Sequence, residues 1–241
     1  MKNKVFFILS ILLIALTVIP SNLVIANEQK ENNFKVCIDP GHQAKGDMRP
    51  EPSSPGGGGS KGRVTSGTRG VGTKKWEYEV VLDASLILKE MLEAKNYNVV
   101  MTRETNDINI SNRERAELAN KENVNMSIRI HCDSINNGGK TGATILVPSK
   151  TGKFTKGIYE ESNEYATMLK KSLQARGVKV NGIIERNDLT GFNWSKVPVI
   201  VLEMGFMSNY NEDAMLCTKS YQTKLMEAVT EALDNYKTAN S

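Results

Sequence analysis

Apolar residues recur along this chain in two rhythms. Compact apolar runs at residues 34–38, 97–102, 126–131, 143–147 and 199–203 predict strands, and residues 182–185 read as extended. Apolar positions spaced by three and four predict helices. Residues 76–95 carry Val80, Val81, Ala84, Ile87, Leu88, Met91 and Leu92 on one face, and residues 158–176 and 221–236 repeat the pattern. Ser111-Asn112-Arg113-Glu114 fits a capping box and predicts a short helix ending near Glu122. Strands alternating with helices across short connections predict one α/β layered domain, residues 34–241, built on a largely parallel sheet.

Two stretches break the pattern. Residues 43–75 hold Pro50, Pro52, Pro55 and the run Gly56-Gly57-Gly58-Gly59-Ser60, with almost no large apolar side chain. Such a segment buries too little surface to offset its ordering entropy and is expected as a mobile Pro/Gly-rich loop. Residues 1–26 place Lys2 and Lys4 ahead of an apolar run from Val5 to Ile19, followed by Pro20 and the small-residue site ending at Ala26. That is the pattern of an export signal, with an uncleaved membrane anchor as the alternative. Residues 27–33 read as a polar linker. The protein is expected outside the cytoplasm, touching membrane only through an uncleaved leader.

Composition narrows the function. The formal charge of +4 includes the two leader lysines, which leaves about +2 on the body, too little to imply a nucleic-acid partner. Three cysteines, Cys37, Cys132 and Cys217, do not make a disulfide framework. Cys37 and Cys132 lie in or beside strand-like runs and read as small buried apolar residues.

The chemistry concentrates at strand ends. Both histidines of the chain sit there: His42 after Ile38-Asp39-Pro40-Gly41, and His131 at the close of Met126-Ser127-Ile128-Arg129-Ile130. Glu203 closes Val199-Ile200-Val201-Leu202, where a carboxylate after four apolar residues demands a cation or donors. Ligands of open α/β sheets bind beyond the carboxyl ends of the strands, so these three residues are expected to share one edge. Glu77 and Glu79 both fall in the first turn of the long helix, where either also suits the helix dipole. Two histidines and one glutamate make an open three-ligand zinc site, and a further carboxylate can move the proton of an attacking water.

Asp39-Pro40-Gly41-His42, Glu77, Ser127-Ile128-Arg129-Ile130-His131 and the block from Val197 to Asn209 together resemble the zinc-dependent N-acetylmuramoyl-L-alanine amidases. Thr102-Arg103, Arg113 to Asn120 and Arg176 to Lys179 support the likeness, which runs from about Val36 to Tyr236. The resemblance implies a twisted, mostly parallel sheet with helices on both faces. It implies one zinc ion held by His42, Glu77 and His131, with Glu203 as the catalytic carboxylate. The implied reaction cleaves the amide between the lactyl group of N-acetylmuramic acid and L-alanine of the peptidoglycan stem. Two departures stand out: the long segment before Glu77, and Arg129, which makes the second histidine block read RIH where many relatives read SIH.

The long loop, the single short domain and the lack of wall-binding repeats resemble the sporulation amidases of the spore cortex, which act ahead of muramic-δ-lactam formation. The corresponding location is the cell wall or the forespore intermembrane space, and a regulatory protein partner is an expectation of the same kind. Two other readings compete. A cysteine hydrolase would use Cys132 or Cys37 with a histidine, and the Cys132–His131 pair is disfavoured because neighbours in a strand point to opposite faces. A catalytically silent envelope-binding module leaves Glu203 without a purpose.

Overall fold

A computed structural model describes residues 33–240. The leader and most of the linker therefore lie outside the described residues. Among the described residues eight strands form: β1 (Lys35–Pro40), β2 (Asp47–Pro52), β3 (Ser60–Val64), β4 (Asn98–Met101), β5 (Met126–Asp133), β6 (Ala143–Pro148), β7 (Val180–Arg186) and β8 (Val199–Phe206). The α-helices are α1 (Glu77–Glu93), α2 (Asn112–Lys121), α3 (Tyr159–Ala175), α4 (Thr190–Trp194), α5 (Tyr210–Leu216) and α6 (Lys219–Ala239).

Six strands make one sheet in the order β4-β1-β5-β8-β6-β7. Neighbours run parallel except β6 and β8, which are antiparallel. The alternation of strand side chains sorts the two faces. Ile38, Ile128, Ile130, Ile145, Ile200 and Leu202 face α1, α3 and α6 and form the main core. Leu146, Val199 and Val201 pack against Phe192 of α4 on the other face, and Cys37 against Ala119 of α2. Helices thus cover both faces of a mostly parallel sheet: the alternating pattern predicts the layered parallel sheet, and the resemblance implies helices on both of its faces. By the same parity, Arg129, His131 and Glu203 belong to the face that carries α2 and α4, while Cys132 belongs to the main core.

Residues 43–75 differ from the expected mobile loop. They contain an antiparallel hairpin of β2 and β3 that pairs only with itself, so Pro50 and Pro52 break no sheet ladder. Gly56 to Gly59 all have positive φ and turn the tip. Polar anchors replace the missing apolar surface. Trp194 Nε1 donates to Pro52 O at 2.9 Å, Asn193 Nδ2 to Ser53 O at 3.1 Å and Asn112 Nδ2 to Arg63 O at 2.9 Å. Arg63 also joins Glu114 of α2, with Nη2 2.8 Å from Oε2. Apolar content underestimates the order of such a segment, because its backbone oxygens are bonded by side chains of α2 and α4.

Candidate metal centre

The turn after β1 places the first histidine. Gly41 N donates to Ile130 O at 2.9 Å, which ties the turn to β5. A Cβ on Gly41 would lie 2.3 Å from His131 Cε1, so only glycine lets the imidazole pass. His42 follows with φ of 60°, a conformation that costs a side-chain-bearing residue and needs outside support. Two arginines supply it. Arg115 Nη2 donates to His42 O at 2.8 Å, while Arg103 donates to Pro40 O at 3.0 Å and to Gly41 O at 2.8 Å. Burial lowers the Arg103 guanidinium to about 10, which still leaves it charged at neutral pH. On the far side of the ring, His42 Nδ1 stands 3.1 Å from Thr65 O. A proton on Nδ1 directed at that carbonyl leaves the Nε2 lone pair free.

Glu77 is the first residue of α1 and is buried. Its Oε1 lies 3.2 Å from His42 Nε2 and 3.1 Å from His131 Nδ1, and accepts from Cys132 N at 3.0 Å. Its Oε2 accepts from Thr68 N at 3.0 Å. Burial alone would raise this carboxyl, but its two imidazole neighbours, His42 first and then His131, hold it well below the usual range. Glu79 does something else: its Oε2 accepts from Trp76 N at 2.8 Å and caps the helix. The structure therefore brings Glu77, not Glu79, to the histidines.

His131 and Glu203 are partners across β5 and β8. Burial pushes the His131 imidazole down to about 4, so it is neutral at physiological pH. Ligand atoms of His42, Glu77 and His131 all fall within 4.8 Å of one another. Beside them opens a cleft of about 270 Å³ lined by His42, His131 and Glu203. Among the described residues, Glu203 Oε2 is buried without a hydrogen-bond partner. Burial, and then the negative charges of Glu77 and Asp133, push the Glu203 carboxyl well above its usual range.

A buried network lies under the cleft. Asp39 Oδ1 accepts from Arg115 Nη1 at 2.6 Å and from Thr102 Oγ1 at 2.6 Å, and Oδ2 accepts from Arg129 Nε at 2.7 Å. Arg129 continues to Asn112 Oδ1 at 2.7 Å. Arg129, unexplained by the sequence alone, is thus a floor residue of the cleft pinned from two sides. Asp39, Arg103 and Arg115 were visible as motif residues, yet nothing in sequence spacing signals that they brace the His42 turn. The cysteines stand apart. Burial pushes the Cys132 thiol well up, and burial followed by the Asp39 charge pushes Cys37 up to about 12.

Comparison with known proteins gives this geometry its chemistry. A family model described as N-acetylmuramoyl-L-alanine amidase (Amidase_3) matches residues 36–235. The chain belongs to this amidase family. The N-acetylmuramoyl-L-alanine amidase Rv3717 of Mycobacterium tuberculosis is 27% identical over 209 residues, covering 83% of this chain and 85% of that protein. The apo form of Ami1 from Mycobacterium abscessus superposes on the amidase with a TM-score of 0.76 at 26% identity, covering 85% of this chain and 98% of that one. The CwlD amidase from Clostridioides difficile, solved in complex with the GerS lipoprotein, shares the fold, with a TM-score of 0.69 at 20% identity over 86% of this chain and 100% of that one. The amidase hydrolyses the muramoyl–L-alanine amide of peptidoglycan, and cell-wall peptidoglycan lies outside the cytoplasm.

Proposed function

We propose that the amidase uses one zinc ion held by His42, Glu77 and His131, with Glu203 as the carboxylate that moves the proton. The observation that carries this reading is the convergence of those three donors within 4.8 Å beside the unpartnered Glu203 Oε2. Two imidazole nitrogens and one carboxylate oxygen, open on one side, are the donor set of catalytic zinc sites. When bound there, zinc would polarise the scissile carbonyl, acidify a water and offset the Glu77 charge that helps raise Glu203.

The protein's own residues do the rest. Glu203 takes a proton from the attacking water as its oxygen adds to the lactyl carbonyl carbon, and returns that proton to the leaving nitrogen as the C–N bond breaks. The products are a free lactyl carboxylate on the sugar and a free amino group on L-alanine. The tie from His42 Nδ1 to Thr65 orients one ring, while Cys132 N and Thr68 N fix the Glu77 carboxylate. Zinc content of the purified protein tests the ligand set. One zinc per chain, with activity lost to a chelator and restored by zinc, is the expected result. Full activity in zinc-free protein contradicts it.

The setting that suits this enzyme is the spore cortex, reached by export through the leader, where cleaved muramic acid becomes available for δ-lactam formation. This part of the proposal rests on the sequence resemblance to sporulation amidases. The same resemblance, together with the fold shared with CwlD, an amidase solved with a lipoprotein bound, supports a regulatory protein partner. Spores lacking the gene should contain no muramic-δ-lactam, and normal lactam content would reject the setting. Tight zinc binding and full activity by the purified chain alone would reject the partner.

A further inference from the structure

We infer that the cleft selects stem peptides bearing a free carboxylate close to the scissile amide, and that Arg186 and Lys61 recognise it. The inference rests on the amidase reaction taking place in this cleft.

Three cations from three different elements line the cleft with His131 and Glu203: Lys61 of β3, Arg129 of β5 and Arg186 of β7. Arg129 is committed to Asp39, which it shares with Arg115, so two guanidiniums meet one carboxylate beneath the floor. At the rim the same imbalance recurs. Asp188 accepts from Arg186 Nε at 2.7 Å and Nη2 at 2.8 Å, and its main-chain oxygen accepts from Lys61 Nζ at 2.5 Å. Its Oδ2 also stands 3.7 Å from Lys61 Nζ. Asp188 thus fixes the positions of both cations, while Glu203 and Asp133 act on Arg186 only through their charge, without a hydrogen bond. Both remain accessible, with side chains 49% exposed for Lys61 and 37% for Arg186. Arg186 Nη1 makes no hydrogen bond among the described residues.

An anion-seeking rim beside a hydrolytic site points to the charge of its substrate. The muramoyl side offers none, because its lactyl carboxyl is consumed in the amide. Carboxylates lie on the peptide side. The residue after L-alanine is a D-glutamate whose α-carboxyl is free or amidated, and some third residues carry another carboxylate. Arg186 presents a planar donor, preset by its pairing with Asp188, at low cost in ordering.

The test uses the full zinc-loaded enzyme and four muramyl peptides. Two are L-Ala-D-Glu and its α-amidated form, both with the γ-carboxyl blocked as an amide, and two extend the α-amidated dipeptide through that γ-carboxyl with L-lysinamide or with meso-diaminopimelate amidated at its L-centre. A free carboxylate should raise kcat/KM by about tenfold, the increment of one added charge-assisted contact. The first pair reads a preference at the second residue and the second pair reads one at the third. In Arg186→Gln combined with Lys61→Met the ratio should fall to within about twofold, Arg186→Lys should keep part of it, and added salt should narrow it. No preference in either pair, or a preference unchanged in the double variant, overturns the inference while leaving the amidase reaction standing. Failure to cleave any of the four overturns the reaction assigned to this cleft and the inference with it.

Discussion

Arg129 donates from Nε to Asp39 Oδ2 at 2.7 Å, across register-paired positions of β5 and β1. The pair joins the strand that carries His131 to the turn that carries His42. Arg115 closes the arrangement from α2, bonding the other Asp39 oxygen and the His42 carbonyl. Charge deep in the domain is therefore spent on holding two strand ends in register where the donors converge.

Asp39→Asn should leave Arg115 and Arg129 as uncompensated buried cations and destabilise the domain by about 3–5 kcal/mol. Burial alone would raise the Asp39 carboxyl, but Arg115 and Arg129 hold it well below the usual range. Its contribution is therefore fully present above its ordinary value of 3.8 and is lost as pH falls from there towards the lower folded value. Chemical denaturation across pH checks this. The gap between parent and variant should be constant near neutrality and narrow only in acid.

Glu77→Gln and Glu79→Gln should separate two adjacent acids. The first turns the carboxylate shared by both imidazoles into a neutral amide, a much poorer ligand, and should abolish stoichiometric zinc binding. The second weakens a helix cap and should cost about 1 kcal/mol or less, with zinc content unchanged. Zinc content and melting temperature of the two proteins decide it, and zinc loss in the Glu79 variant would reverse the assignment.

Gly41→Ala places a methyl where the His131 ring lies, with built Cβ to Cε1 at 2.3 Å. Overpacking of this kind costs about 1–3 kcal/mol. It should also weaken zinc affinity, because the ring must move off the ligand position. Competition with a zinc-binding dye reads the affinity, and an unchanged value would mean that the ring has another place to go.

Much of the fold was legible because strand and helix periods are strong in β1, β5, β8, α1, α3 and α6, which supply the main core. The capping box at Ser111 appears as expected, with Glu114 N donating to Ser111 Oγ at 3.1 Å and Ser111 N to Glu114 Oε2 at 2.7 Å. The β2–β3 hairpin was not legible, since its order comes from side chains of α2 and α4 that lie far away in sequence. Strand ends alone put His42, His131 and Glu203 on one sheet edge, and the structure lines one cleft with all three. Choosing Glu77 over Glu79 needed the resemblance at first, and the helix cap made by Glu79 now supplies the physical reason. Lys61 and Arg186 carried no sequence signal, because isolated cations in loops and edge strands are ordinary solvated residues until a cleft collects them.

The most direct measurement is mass analysis of peptidoglycan digested by the parent and by Glu203→Gln, with zinc determined on the same preparations. The parent should release stem peptides with a free amino-terminal L-alanine. The variant should hold one zinc per chain and release them about 10²–10⁴ times more slowly, the range for losing a general acid–base group. Undiminished release by zinc-loaded Glu203→Gln would contradict the account at its centre.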